Sequence, residues 1–421
     1  MGALAQDDAL ERDTVVLKFG GSSVADAERI RDVAARLVAA REGGRRVVAT
    51  VSAMGETTDT LLALARRVAP NPDARELDML LSTGERVACA LVAIAVHDLG
   101  HEAVSFTGSQ AGILTDAVHT RALIREITPV RVVRALEEGR IVLVAGFQGF
   151  SRETMDVTTL GRGGTDATAV ALAAALGAAC EIYSDVAGVF TADPRLVPDA
   201  RRLEQVSYAE MLELAASGAR VLMLRAVELA RAHGVPILAR SSFSDEPGTW
   251  VHYVEEMEQP AVSAVTHSED VVLFSVEGVP DRPGATAALF QAIAAEHVNV
   301  DTVLSDGGSA SPGLSFATAH DEAAAARLAV ERAAAALGAL EVEERRDVGS
   351  VSVVGAGMRS HPGVAAKMFR AIDREGVDVR LVSTSPIKIS VLVDRSAVPR
   401  TVRGLHAAFG LGEEAAEGTA N

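Results

Sequence analysis

TVVLKFGGSSVADAERIRDVAARLVAA, residues 14–40, decides the fold. Six residues rich in β-branched side chains end in Lys18 and Phe19, two glycines follow, and an apolar pattern of helical period runs from Val24 to Arg41. A strand, a glycine turn and a helix in that order form the opening unit of an α/β sheet. The two glycines let backbone N–H groups approach phosphate oxygens, and the helix that follows presents its positive end. Lys18 stands where the strand meets that turn.

The same alternation continues outward. HEAVSF (101–106), RRVVATV (45–51), RIVLVAGF (140–147), EIYSDV (181–186) and VPILAR (235–240) have strand character. Helical patterns lie between them at Leu61–Val68, Leu77–Leu99, Val130–Glu138, Asp166–Leu176 and Tyr208–Ala216. Apolar strands alternating with helices predict a mainly parallel sheet covered by helices on both faces. After Trp250 the polar, Pro-terminated VHYVEEMEQP predicts a linker. Beyond it the chain repeats at an offset of 79 residues: Pro283-Gly284 with Pro362-Gly363, Phe290 with Phe369, Ile293 with Ile372, Glu296 with Glu375, Val298 with Val377 and Val300 with Val379. A gapless match of this kind predicts two homologous modules. The expected division is 1–250, a linker at 251–266, modules at 267–345 and 346–411, and a disordered tail from 412 to 421.

Composition narrows the function. A net charge of −17 argues against nucleic acid or an anionic membrane as partner, since polyanions need basic surfaces. Cys89 and Cys180 give neither a disulfide framework nor a zinc spacing. The acidic start lacks the order of a signal peptide, and no apolar run is expected to span a bilayer, so a cytoplasmic location is expected. Lys18, Lys367 and Lys388 are the only lysines among 40 basic residues. A chain this biased to arginine keeps a lysine either by chance or where a compact point charge serves better than a planar fork.

Further polar clusters sit beside the apolar runs. TTLGRGGTD (158–166) opens a second glycine loop at a helix start. Arg162 there is suited to grip a carboxylate with two parallel bonds. Asp166, in the helix's first turn, either caps the helix or holds Lys18. Ser184-Asp185 ends a strand, where α/β sheets bind nucleotides, and Thr191-Ala192-Asp193-Pro194-Arg195 follows, with a capped turn as its plainer reading. Ser52-Ala53-Met54-Gly55 with Thr57 and Thr58, and Ser82-Thr83-Gly84-Glu85-Arg86, have the look of turns or helix starts when taken singly. No Walker A loop or dinucleotide fingerprint occurs.

Taken together, KFGGSSV (18–24), VSAMGETTD (51–59), STGER (82–86), FTGSQAG (106–112), GFQG (146–149), TTLGRGG (158–164) and TADPR (191–195) resemble the aspartate kinases of the amino acid kinase superfamily over nearly the whole chain. The repeats resemble paired ACT modules. The resemblance implies a three-layer α/β/α kinase domain with a mainly parallel sheet, plus two ferredoxin-like βαββαβ ACT domains. It implies phosphorylation of the L-aspartate side chain by ATP with Mg²⁺, the first step toward lysine, threonine and methionine.

By the same resemblance Lys18 contacts the transferring phosphoryl and Asp166 orients it. Gly20, Gly21 and Ser22 cradle phosphates. Ser52, Thr58, Glu85, Arg162 and Thr165 bind the amino acid, and Ser184, Asp185, Phe190, Asp193, Arg195 and Arg220 bind ATP. Asp281, Ala285, Asn299, Asp301, Ser305, Asp306 and Thr384 fall at effector positions, with lysine and threonine the implied effectors. No resident metal ligands are implied. The aspartate carboxylate, with a pKa of about 4, is already ionised at neutral pH, so no general base is needed.

The chain departs from the family pattern at several points. Thr165 replaces serine, Phe190 a tyrosine and Arg220 a lysine. Ser305-Asp306 stand for Gln-Asn, and Thr384-Ser385-Pro386 for Thr-Ser-Glu; proline removes a backbone donor and Asp306 adds charge. Altered, weak feedback inhibition is therefore expected. Met257 matches an internal start that in some members yields a short regulatory chain, so a homo-oligomer or association with such a chain is expected. A glutamate or acetylglutamate kinase and a catalytically dead amino-acid sensor are the competing functions. From the length, no fused dehydrogenase is expected.

Overall fold

The computed structural model describes residues 13–254, 261–280, 282–305 and 313–412. The chain divides into two compact units. The first runs to Val189 and takes in Arg202–Ala215 and the stretch from Arg220; the second holds Phe190–Arg201, Ala216–Ala219 and the described chain from Ala261, so the division falls within the expected linker.

In chain order the first unit contains β1 (Thr14–Phe19), α1 (Ala27–Glu42), β2 (Arg46–Val51), α2 (Thr57–Val68), α3 (Ala74–Asp98), β3 (Ala103–Phe106), β4 (Ile113–Thr115), β5 (Ile124–Ile127), α4 (Val130–Glu137), β6 (Ile141–Ala145), β7 (Gln148–Ser151), β8 (Val157–Thr159), α5 (Gly164–Leu176), β9 (Ala179–Ser184), β10 (Gln205–Ser207), α6 (Tyr208–Ala216), α7 (Leu224–His233), β11 (Ile237–Ser241) and β12 (Thr249–His252). Eight strands form one sheet in the order β10-β12-β11-β9-β1-β2-β6-β3. Every pairing is parallel except β11 with β12. A smaller sheet, β5-β4-β7-β8, stands apart from it.

β1 is buried along its whole length, and its side chains alternate between the two faces. Val15, Leu17 and Phe19 join the core with Ile30, Val33 and Leu37 of α1 and Ala88, Cys89 and Val92 of α3. Lys18 points the other way, toward α5, which is buried from Gly164 to Ala173. A helix this apolar on all sides is what an inner position requires. The three-layer expectation is met by these elements.

α3 corrects one expectation: at 25 residues it is long and apolar enough to cross a membrane by length and composition. Half of its most apolar window is buried inside the structure, and Asp78, Ser82 and Glu85 lie on its buried side. STGER sits in the middle of a helix, as the Leu77–Leu99 pattern implied, and not at the turn its residues suggest when taken singly. The 52–55 segment is a turn that leads into α2.

The second unit contains β13 (Ala264–Ser268), β14 (Val272–Glu277), α8 (Ala285–Ala295), β15 (Val303–Ser305), β16 (Gly313–Thr318), α9 (Ala323–Leu337), β17 (Glu341–Arg345), β18 (Val348–Val354), α10 (Val364–Arg374), β19 (Leu381–Ser385), β20 (Lys388–Asp394) and α11 (Val398–Phe409). One sheet runs β15-β16-β14-β17 and the other β19-β20-β18-β13. The orders correspond strand for strand, with β13 in the place of the second module's last strand. β13 pairs antiparallel with β18, Ala264 opposite Val354. The expected boundaries divided this strand between linker and first module. Its long-range pairing instead makes the first module an insertion within the second.

The 79-residue repeat reappears as structure. Gly284 and Gly363 cap α8 and α10 in the left-handed region, φ 93° and 98°. Phe190–Arg201 also belongs to this unit: Ala192, Val197 and Ala200 are buried in its core, and Val265 N–H donates to the Thr191 carbonyl at 2.8 Å. Gly412, expected to begin a disordered tail, forms a bridge with Ala200. The rest of that tail and Met257 lie outside the described residues.

Candidate active site

Four parallel strands end at one edge of the large sheet, and hydrogen bonds stitch their ends together. Gly20 N–H donates to the Tyr183 carbonyl of β9 at 3.3 Å, Ser52 N–H to the Phe19 carbonyl of β1 at 3.1 Å, and Gly146 N–H to the Val51 carbonyl of β2 at 3.3 Å. Gly55 N–H reaches the Gly21 carbonyl at 3.0 Å. Along the edge the order is therefore Ser184 at β9, Lys18 at β1, Ser52 at β2 and Gly146 at β6. Carboxyl ends of parallel strands are where such sheets bind ligands. The Gly20 amide is already engaged by its bond to the Tyr183 carbonyl. A Cβ on Gly21 would lie 2.8 Å from the Ala53 carbonyl oxygen, so the two turns meet backbone to backbone.

Lys18 Nζ lies 2.6 Å from Asp166 Oδ1, with both side chains about nine-tenths buried (11% and 7% exposed). Asp166 is the third residue of α5. The N-cap is Gly163 and takes no side-chain bond, so the carboxylate serves the lysine and not the cap. A buried pair of this kind fixes position: removing one partner strands the other charge, at about 3–5 kcal/mol.

Glu85 is 3% exposed on α3. Its Oε1 accepts from Ala53 N–H at 3.2 Å, while Oε2 is buried with no partner among the described residues. Burial pushes its pKa up to about 7, against the pull of its backbone hydrogen bonds. The helix lies close because residue 84 is glycine: a Cβ there would stand 2.7 Å from Ala53 Cβ. Thr165 is buried at the start of α5 and packs so tightly on Gly146 that a Cβ on that glycine would meet its Cγ2 at 2.5 Å. Ser52 and Thr58 are half-buried. Arg162 is exposed between Gly161 and Gly163, whose φ angles are 76° and 74°.

Among the nucleotide candidates, Ser184 is half-buried at the end of β9 and Asp185 is exposed just after it. Ser184 Oγ accepts from Val186 N–H at 3.3 Å. Arg220 is exposed in the first unit. Phe190, Asp193 and Arg195 belong to the second. There Asp193 takes the Arg195 backbone N–H at 2.9 Å and its guanidinium at 2.7 Å, which holds the carboxyl below its ordinary pKa. That is the capped turn the sequence allowed.

At the effector positions, Ala285 is buried at the start of α8, and Asn299 and Asp301 are exposed. Asn299 N–H donates to Glu322 Oε2 at 2.8 Å. Thr384 is exposed on β19, and Pro386 sits in the turn to β20. Ser305 ends β15, while Asp281 and Asp306 lie outside the described residues.

Two polar groups near this edge escaped the sequence patterns. Asp78 is wholly buried on α3, two turns before Glu85, and Arg225 on α7 donates to the carbonyls of Leu160 and Ala122 at 2.8 and 2.9 Å. Neither sits in a glycine-rich cluster. The helical spacing of Asp78 and Glu85 on one face was the available signal.

A parallel sheet with a glycine turn and a lysine–carboxylate pair at its strand ends defines a kinase of the amino acid kinase class, and the amino acid kinase family model matches residues 13–240. An ACT domain model matches residues 351–409. The chain is 52% identical over 405 residues to the aspartokinase of Mycobacterium tuberculosis, covering 94% of this chain and 96% of that one. It is 50% identical over 411 residues to the aspartokinase of Corynebacterium glutamicum, covering 95% and 97%. Aspartate kinase from Synechocystis superposes with a TM-score of 0.53 at 42% identity, over 94% of this chain and 69% of that one. Escherichia coli aspartokinase III, solved with aspartate and ADP, shares the fold at a TM-score of 0.81 and 24% identity, over 94% and 99%. The chain belongs to the aspartokinases, which phosphorylate aspartate with ATP.

Proposed function

We propose that the strand-end row is the path of phosphoryl transfer. The nucleotide lies at β9, L-aspartate at β2, β6 and the start of α5, and Lys18 stands between them. The observation that carries this is the buried 2.6 Å pair of Lys18 with Asp166 at the centre of the row. A side-chain carboxylate oxygen of aspartate attacks the γ-phosphorus. The P–O bond to the β-phosphate breaks, and 4-phospho-L-aspartate and ADP result.

Lys18 neutralises charge on the transferring oxygens, and Asp166 holds it there without reorganisation. The amides of Gly21 and Ser22 and the positive end of α5 add fixed dipoles of the same sign. Arg162 takes the α-carboxylate. Glu85 presents its unpartnered Oε2 to the α-ammonium, with Ser52, Thr58 and Thr165 completing the amino-acid side. Ser184, Asp185 and Arg220 of the first unit take the nucleotide.

No group of three or more His, Cys, Asp or Glu side chains suited to a metal occurs among the described residues. Mg²⁺ carried by the triphosphate would offset phosphate charge. The modules of the second unit bind amino-acid effectors through Asp281, Ala285, Asn299, Asp301, Ser305, Asp306 and Thr384, with lysine and threonine the first to test. The enzyme acts in the cytoplasm as a homo-oligomer or with a short chain beginning near Met257.

A coupled ADP assay tests the function. Turnover is expected with aspartate and ATP, and only slight turnover with glutamate or acetylglutamate. Comparable turnover with glutamate, or none with aspartate, refutes it.

A further inference from the structure

Asp78 is the most deeply buried carboxylate near the site, with no exposed surface. It receives four contacts. Thr159 Oγ1 donates to Oδ1 at 2.5 Å, Thr120 N–H donates to both oxygens at 3.1 Å, and His119 Nδ1 lies 2.7 Å from Oδ2. All three partners belong to segments that touch the loop carrying Arg162.

Thr159 ends β8, three residues before Arg162. Thr120 adopts φ 65°, a left-handed conformation that is an outlier for a β-branched residue. Its carbonyl oxygen stands 3.0 Å from where a Cβ of Gly161 would lie. Ala122 N–H then donates to the Thr159 carbonyl at 2.9 Å. On the loop's other side Phe147 also has φ 65°, and its carbonyl accepts from Leu160 N–H at 2.9 Å. Two non-glycine residues in the left-handed region thus flank one short loop. Backbone strain persists where surrounding structure over-determines it, and it concentrates at ligand clamps.

Arg162 itself is exposed between two glycines of positive φ, a segment with little conformational preference of its own. Something rigid must set its aim, and a buried carboxylate on the helix that also carries Glu85 is rigid. We infer that Asp78 is a positioning residue for substrate binding. Through Thr159 and Thr120 it fixes the 158–164 loop, so that Arg162 meets the α-carboxylate while Glu85, two turns along the same helix, meets the α-ammonium. One helix thereby sets the spacing between the two groups that recognise an α-amino acid. The inference rests on Arg162 acting as the carboxylate clamp.

Thr159→Val tests it, because the change keeps the shape and removes one donor to Asp78. KM for aspartate is expected to rise about tenfold to a hundredfold, in line with a misplaced binding group. KM for ATP should stay within about twofold, since the clamp touches aspartate alone, and kcat should hardly change, since the interaction lost is made equally in ground and transition states. Thr159→Ser, which retains the hydroxyl, should restore the aspartate KM. Asp78→Asn is the second variant and should raise the same constant. Made in an Arg162→Ala background, Thr159→Val should have no further effect, because its action runs through Arg162.

An unchanged aspartate KM in Thr159→Val, with Arg162→Ala impaired, overturns the positioning role and leaves the clamp intact. Equal increases in both KM values, or a further increase on the Arg162→Ala background, overturns it in favour of general loosening. An Arg162→Ala enzyme with normal aspartate KM overturns the clamp, and the positioning role falls with it.

Discussion

Replacing Glu85 with glutamine removes a charge that burial opposes, and the structure sets the size of the effect. The folded carboxyl has a pKa of about 7 against an ordinary 4.5, with desolvation the leading cause. Below 4.5 both folded and unfolded chains hold the proton, and the group is neutral in the balance. Between 4.5 and 7 the folded chain keeps a proton that the unfolded chain has released, so stability from this group falls as pH rises. Above 7 the full difference applies, about 3 kcal/mol for a shift of this size. Glutamine has no such term. Its amide lies where Oε2 has no partner, which costs about 1–3 kcal/mol at every pH.

The pH-dependent part is therefore the clean quantity. The stability of Glu85→Gln relative to wild type should improve by about 2.5 kcal/mol between pH 5 and pH 8. Urea unfolding without substrates measures this, and Trp250, the chain's one tryptophan, is buried on β12 and reports on the large sheet. The same carboxyl predicts that aspartate KM in the wild type rises as pH falls below about 7, since a protonated Glu85 cannot accept the ammonium; the variant's KM should be high and flat. A stability difference that stays constant from pH 5 to pH 8 refutes the burial argument.

Two further predictions concern the phosphate turn and regulation. Gly21→Ala should destabilise the first unit by about 1–3 kcal/mol, because the new Cβ meets the Ala53 carbonyl at 2.8 Å. Gly20→Ala meets nothing closer than 3.6 Å, so its melting temperature should be near wild type; the reverse order of stabilities contradicts the geometry. Lysine plus threonine should inhibit weakly in a steady-state titration, because Asp306 and Pro386 alter the effector positions. Full inhibition by the pair at low concentration contradicts that expectation.

What could be seen in the sequence tracks how local its cause is. β1 is found where the pattern put it, because a six-residue run with four apolar side chains ends at a Gly-Gly turn and nothing distant is needed to define it. The Pro-Gly repeats marked the starts of α8 and α10 for the same reason. The small sheet of β4, β5, β7 and β8 was missed, since each strand has only three or four residues and close packing, not periodicity, selects it. β13 was misplaced because its partner, β18, lies about 85 residues further along. Phe190–Arg201 belongs with the second unit through Val265 and the buried Ala192, Val197 and Ala200, contacts that no motif encodes.

In the site, glycine-rich clusters revealed Lys18, Arg162 and Asp166, and the structure brings Lys18 and Asp166 together. Asp78 and Arg225 lie in ordinary helix sequence. Their roles arise only from what the fold places around them.

The central claim is that the position of the Lys18 charge, fixed by Asp166, drives phosphoryl transfer. The most direct test is the turnover of purified Lys18→Arg in the coupled ADP assay with saturating aspartate and ATP, alongside its melting temperature. The variant keeps the charge and the ion pair but not the compact geometry. A fall in kcat of about a hundredfold or more with little change in melting temperature is predicted. Turnover within a few fold of wild type would contradict it.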